Sequence, residues 1–280
     1  MKEIYGSIAV LMSVYIKEKP EYLDLAFKSI WTDQVLKPSQ IIIVQDGDLT
    51  PDLYGVIEKW HNIVPSEKWF YHKNEKNIGL TKSLNIGIKY VKEKYIARID
   101  SDDICLPEKF KKQYEFLEAH PDISILGTQV QEIDAKGVYK KLRFYPQTNT
   151  EVIKYIPRAT PLQHSNVMMR TRIFREGISY NEKYRMTQDL ALWFDALCAG
   201  YKIANLPDVL FLFRISDDTM ERRNRSKAYN EFLIYINGIW KLYGITWRYI
   251  YPILRLCFRL MPKCVIKLIY DSKLRSGILK

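Results

Sequence analysis

A chain of 280 residues that is 47% hydrophobic and 27% charged has a globular composition, which excludes a disordered or fibrous protein. Its longest stretch without a charged side chain, residues 4–16, is too short to span a bilayer. Lys17, Glu18 and Lys19 close that stretch with no cleavage-type small residues after it, so it is expected to be a buried strand rather than an anchor or signal. The formal net charge of +11 is uneven: Trp240 to Lys280 hold nine Lys or Arg and one acid, Asp271, while the rest is nearly balanced. That distribution argues against a nucleic-acid partner for the body of the protein. Four scattered cysteines, Cys105, Cys198, Cys257 and Cys264, form no metal-ligand pattern and suit a reduced, cytosolic chain.

Apolar runs predict strands over Ile8–Tyr15, Ile41–Val44, Trp69–His72 and Tyr95–Ile99. Between and after them, helical spacing predicts helices over Tyr22–Trp31, Pro51–Trp60, Leu80–Val91 and Pro107–Ala119, the last with proline in its first turn. This alternation argues for a mostly parallel sheet with helices on both faces. Beyond residue 120 the pattern changes. Ile123–Ile133 and Val138–Phe144 flank Asp134-Ala-Lys-Gly137, a hairpin signal. A helix over Thr187–Ala199, short strands near Ile203 and Val209, and a long helix over Arg222–Tyr243 complete the expectation.

The C-terminal segment interleaves Arg248, Arg255, Arg259, Lys263 and Lys267 with bulky apolar residues, and Trp247, Tyr249 and Tyr251 are suited to a headgroup zone. Two readings fit: a helix lying on an anionic membrane surface, broken at Pro252 and Pro262, or a terminal helix packed on its own core.

The C-terminal ends of strands in an open parallel sheet form a ligand crevice. Two of these ends carry acids: Asp46, then Asp100, Asp102 and Asp103. No Gly-x-Gly-x-x-Gly or Gly-Lys-Ser/Thr phosphate loop is present, which disfavours nicotinamide-binding and P-loop enzymes. Three carboxylates in four residues repel one another unless a cation lies between them. A hard divalent ion does this with oxygen ligands and bridges a diphosphate. The simpler alternative is an acidic cap for the helix near Pro107.

The segment Tyr95-Ile-Ala-Arg-Ile-Asp-Ser-Asp-Asp-Ile-Cys-Leu-Pro-Glu-Lys-Phe110 resembles the metal-binding stretch of family 2 glycosyltransferases. Val10–Tyr15, Ile41–Gly47, Asn74–Leu80 with Asn85 and Gly87, and Thr187–Trp193 resemble further motifs of that family in the same order. Lys17–Tyr22, Pro161–His164, Arg222-Arg223 and the basic tail resemble amylovoran-type exopolysaccharide and O-antigen transferases. The resemblance implies a GT-A-like catalytic domain over 1–220, with a nucleotide-sugar half (1–120) and an acceptor half (121–220). A helical, membrane-associating segment over 221–280 would follow.

It also implies inverting, metal-dependent transfer of one hexose, glucose or galactose, from a UDP-sugar. The acceptor would be an undecaprenyl-diphosphate-linked saccharide, with Mn2+ or Mg2+ as cofactor, at the cytoplasmic face of the inner membrane. The Gln-x-x-Arg-Trp motif of processive synthases is absent, which favours a single transfer. A sugar nucleotidyltransferase is the enzymatic alternative, though the loop after the first strand lacks its glycines. A catalytically silent assembly partner is the other.

Residue by residue, the resemblance makes Asp102 a metal ligand, with Asp100 at the metal or ribose, and Asp103 either a ligand or a cap. Tyr15, Asn85 and Asn77 become nucleotide-sugar contacts, Asn77 having a turn residue as its alternative. Asp46 becomes the acceptor for the base N3–H, or a turn residue. Arg98 or Lys82 would supply positive charge near the diphosphate, since Leu84 stands where some members have Arg. Gln188 stands where the family often has Glu, leaving Asp189 as the general base. The alternative for Asp189 is a first-turn acid behind a Thr187 N-cap. His164 is either an acceptor or diphosphate contact or a structural histidine.

Overall fold

The computed structural model describes residues 5–184, 186–215 and 225–260. The chain divides into two compact units, 1–216 and 217–280.

Unit 1 opens as alternating strands and helices: β1 (Tyr5–Val14), α1 (Pro20–Ile30), β2 (Lys37–Asp46), α2 (Pro51–Ile63), β3 (Trp69–Asn74), α3 (Leu80–Ile88) and β4 (Tyr95–Arg98). These four strands are parallel, in the order β3-β2-β1-β4. One face of the sheet buries Ile8, Val10, Met12 and Val14 of β1 against Leu23, Phe27 and Ile30 of α1 and Trp60 of α2. The opposite face is covered by α3. There a Cβ on Gly87 would sit 2.3 Å from Leu11 Cδ1, so the helix can lie this close to the sheet only with glycine at that position. Both faces being covered explains why the strands read as unbroken apolar runs.

After β4 come β5 (Ile104–Cys105), α4 (Lys109–Ala119), β6 (Ile123–Ile133), β7 (Tyr139–Arg143), α5 (Asn149–Tyr155), β8 (Met168–Arg170), α6 (Arg172–Arg175), α7 (Gln188–Cys198) and β9 (Lys202–Arg214). Here the sheet becomes mixed. β8 runs antiparallel between β4 and β6, β9 is parallel to β6, and β5 closes antiparallel on β9. The predicted hairpin is β6–β7. Its turn is held by Asp134 Oδ1, which accepts the Lys136 and Val138 N–H groups, with Gly137 at φ 81°.

Two local expectations change. The short strands near Ile203 and Val209 form one strand, β9, because a register shift opposite Gly127–Gln129 accommodates Pro207. α4 starts at Lys109, not Pro107, because Leu106 N donates to Leu210 O and holds that stretch extended.

Unit 2 contains α8 (Arg225–Tyr243) and α9 (Ile250–Leu260). Pro252 lies in the first turn of α9, where it starts the helix and does not break it; Pro262, Lys263 and Lys267 lie outside the described residues. Arg255 and Arg259, expected on a lipid-facing basic stripe, instead bind Glu231 of α8 at 2.9 and 2.6 Å. α9 and the turn before it expose apolar side chains: Ile245 is 90% and Trp247 66% exposed, and Ile250, Ile253, Leu254 and Leu260 are also exposed. No helix among the described residues is long and apolar enough to cross a membrane.

Candidate active site

Strand order reverses between β1 and β4: β2 and β3 lie to one side of β1, β4 to the other. Such a switch point opens a crevice at the C-terminal ends of the strands. The loop from Tyr15 to Lys19 borders it on one side and the turn Asp100–Asp103 on the other.

In that turn a carboxylate oxygen from each of Asp100, Asp102 and Asp103 lies within 4.8 Å of the others. Burial, aided by the charges of Asp100 and Glu18, pushes the Asp102 carboxyl up to about 7. Asp103 is raised as well, by burial and then by Asp102 and Asp100. A cluster whose ionised form is disfavoured by its own neighbours, and which offers only oxygen donors, suits a hard divalent cation. Asp103 does not cap α4. Its Oδ1 accepts the Arg214 N–H at 2.8 Å and ties the turn to the end of β9.

Arg98 is 1% exposed, and its Nη2 is 2.5 Å from Asp100 Oδ1. It lies inside the protein and acts on the turn, whereas Lys82, the other expected diphosphate charge, is exposed in the first turn of α3. Asp46 is 3% exposed. Its carboxylate accepts from Ile78 N (2.8 Å), Gly79 N (2.9 Å) and Asn74 Nδ2 (3.2 Å). The expected base acceptor is thus engaged in shaping the loop that leads into α3. Asn77 is exposed and donates from Nδ2 to Asp46 O. Asn85 exchanges hydrogen bonds with the Tyr180 backbone and also donates to Glu182, so its amide latches α3 to the 177–182 loop. Tyr15 is exposed one residue beyond β1.

Asp189 is the second residue of α7 and is half-buried, while Gln188 before it is buried. Thr187 stands at the N-cap position of α7, as expected, but its side chain makes no capping bond. It adopts a left-handed conformation, φ 61°, and its hydroxyl donates to Met186 O. That is unusual for a β-branched residue. His164 is buried, its Nε2 2.8 Å from the Tyr180 hydroxyl and its ring edge-on to Trp193, which is a structural environment. Burial lowers its pKa, and the nearby Arg98 charge lowers it further. The Tyr180 phenol is held well up by burial. Arg98 opposes this, and the charges of Asp189 and then Asp100 reinforce it. The candidate base and the aspartate turn therefore lie within electrostatic reach of one buried tyrosine.

Two residues of the site are not found by sequence reasoning. Glu18 contributes a further carboxylate: its Oε2 accepts from the Ser101 hydroxyl and its Oε1 from Lys19 N at 2.9 Å. Arg214 is buried, donates from Nε to the Asp102 carbonyl at 2.9 Å and stacks 4.0 Å over the Tyr22 ring. Neither carries a local signal, because the partners are far apart in the chain.

Residues 9–178 match the model of glycosyl transferase family 2. The chain is 34% identical to the amylovoran biosynthesis glycosyltransferase AmsE of Erwinia amylovora, over 94% of this chain and 98% of that one. It is 32% identical, over 81% of each chain, to the UDP-Gal:alpha-D-GlcNAc-diphosphoundecaprenol beta-1,3-galactosyltransferase of Escherichia coli. Among solved structures, it is similar to S. aureus TarS in complex with UDP-GlcNAc, at a TM-score of 0.65 and 17% identity. That match covers 98% of this chain and 75% of the other. A mannosyltransferase from Pyrobaculum calidifontis with GDP-Man and Mn2+ matches at a TM-score of 0.65 and 11% identity, over 98% and 78%. The fold is that of the GT-A glycosyltransferases. The protein belongs to glycosyltransferase family 2.

Proposed function

We propose that this enzyme transfers a single hexose, glucose or galactose, from a UDP-sugar to an undecaprenyl-diphosphate-linked saccharide. The product would be a repeat unit of a bacterial-type surface polysaccharide, exopolysaccharide or O-antigen. The observation that carries this reading is the convergence of Asp100, Asp102 and Asp103 at the strand-order switch point, with Asp189 and Asp100 both within electrostatic reach of the buried Tyr180. Relatives named for amylovoran synthesis and for transfer from UDP-Gal to a lipid diphosphate support the donor and acceptor classes.

Asp100 and Asp102 would hold Mn2+ or Mg2+, which when bound offsets charge on the departing UDP. Tyr15 and Asn77, both exposed at the rim, are the candidates to meet the nucleotide. Asp189 takes the proton of the acceptor hydroxyl as that oxygen attacks the sugar carbon, and UDP leaves from the opposite face. One displacement inverts the anomeric centre, with no protein nucleophile. The enzyme would work at the cytoplasmic face of the inner membrane as a peripheral protein, held by the apolar surface of α9 as well as by its basic tail.

A UDP-sugar panel tests this, scored by UDP release with a synthetic diphosphate-lipid acceptor, with and without EDTA. UDP-glucose or UDP-galactose should give acceptor-dependent release that EDTA abolishes and Mn2+ or Mg2+ restores. Release that survives exhaustive chelation would remove the metal. Pyrophosphate formed from UTP and a sugar phosphate would point instead to nucleotidyl transfer.

A further inference from the structure

We propose that Glu18 is a positioning residue whose bond to Ser101 sets the geometry of the aspartate turn, and with it the hold on a divalent cation. This rests on the reading that the turn binds a cation. Ser101 is the residue between Asp100 and Asp102, and it is buried. Its hydroxyl donates to Glu18 Oε2, from the loop after β1, 83 residues away in sequence. The other carboxylate oxygen is fixed by the Lys19 N–H immediately before α1. Both oxygens of Glu18 are therefore engaged from within the protein, and Glu18 is not one of the three carboxylates that converge. Its role is to hold the turn that presents them.

A hydroxyl bonded to a carboxylate is a charge-assisted pair, among the stronger hydrogen bonds available to a side chain. The turn is otherwise anchored by Arg98 on Asp100, by Arg214 Nε on the Asp102 carbonyl and by the Arg214 backbone on Asp103. Glu18 supplies the side-chain anchor at Ser101. It also joins the metal turn to the loop that carries Tyr15, so both borders of the crevice are fixed to each other.

The test uses the full chain and Mn2+ alone as probe, with binding measured by calorimetry. Activity titrated against Mn2+ gives a second readout. Glu18→Ala and Ser101→Ala should each weaken Mn2+ binding about tenfold or more, the usual effect of removing a partner that orients a ligand. The double variant should be no weaker than the weaker single one, because both remove the same bond. Glu18→Gln keeps an oxygen for the Ser101 hydroxyl and should recover most of the affinity. UDP binding without cation and the thermal midpoint should stay near wild type; should Glu18→Ala fail to fold, Ser101→Ala and Glu18→Gln carry the test. Wild-type Mn2+ affinity in Ser101→Ala, additive losses in the double variant, or a Glu18→Gln as weak as Glu18→Ala would each overturn the proposal. In those cases the metal reading itself stands. A wild-type protein that binds no Mn2+ overturns both.

Discussion

Arg98 Nη2 stands 2.5 Å from Asp100 Oδ1, and the arginine is buried while the aspartate reaches the crevice. Taking a guanidinium out of water costs several kcal/mol unless a counter-charge is close. Asp100 is the largest such contribution at Arg98, ahead of Tyr180 and Asp103. The same carboxylate thus serves the interior and the crevice, whereas at Asp102 burial and the charges of Asp100 and Glu18 outweigh the Arg214 charge and raise the carboxyl.

This difference separates the two aspartates in the absence of metal. Asp100→Asn leaves Arg98 without its nearest counter-charge and should cost about 3 kcal/mol of stability. Asp102→Asn should cost nothing or stabilise. A carboxyl raised to about 7 binds more protons folded than unfolded between pH 4 and 7, so its contribution falls as pH rises through that window and is fully unfavourable at pH 8. Urea unfolding at pH 8 with EDTA checks this, and equal losses in the two variants would refute it.

Asp189→Asn preserves shape and removes the proposed proton acceptor. Turnover should fall at least about a hundredfold, the lower range of a general-base contribution, with UDP affinity unchanged. Comparing kcat with UDP binding by calorimetry decides it. Near-normal turnover would place the base elsewhere.

Much of the fold is legible because its signals are local. Ile41–Val44 reads as a strand since helices cover both faces of the sheet, and the three aspartates lie within four residues. The remainder depends on contacts that sequence spacing does not report. Glu18 meets Ser101 across 83 residues, and Asp103 meets Arg214 across 111. Arg98 looks like a ligand charge because period-two patterning cannot tell inward from outward where every residue of β4 is buried. The Asp46 carboxylate is engaged because the Asp46–Gly47 loop packs against residues 76–77; a Cβ on Gly47 would lie 2.7 Å from Asn77 N. Thr187 has the composition of a cap and the backbone of a left-handed turn.

A buried lysine provides a pH test away from the site. Lys109, at the start of α4, is fully buried, with its ammonium 5.2 and 5.7 Å from the Phe110 and Phe211 ring centres and one bond to Gln113 Oε1. Burial lowers its pKa to about 8. Between about pH 8 and 10.5 the unfolded chain then binds the proton that the folded chain does not, so this group's contribution to stability rises with pH, by about 3 kcal/mol over the window. Lys109→Met should lack that rise and be at least as stable as wild type at pH 7.5. Parallel unfolding curves for the two proteins at pH 7.5 and 10 would show it, and an identical pH slope would refute it.

The tail prediction follows from how its charges are placed. Arg255 and Arg259 pair with Glu231, which is buried, so their charges are partly offset by α8. Ile245, Trp247, Ile250, Ile253 and Leu254 are exposed together. An apolar side chain fully buried contributes about 1.5–3 kcal/mol, and salt does not screen it. Vesicle binding should therefore persist in part at 0.5 M NaCl, where a purely basic helix would release. Ile245→Ser with Trp247→Ser should remove most of the salt-resistant sedimentation with anionic vesicles and slow transfer to a lipid-linked acceptor. A water-soluble acceptor should be used as before, because these side chains are already in solvent. Arg255→Gln with Arg259→Gln should instead lower stability, by roughly 2 kcal/mol given that both guanidiniums are a third exposed, since it leaves Glu231 buried and unpaired. Complete release of the wild-type protein from vesicles by salt, or undiminished retention of the serine variant on them at 0.5 M NaCl, would show that the apolar side chains do not contribute to holding the membrane.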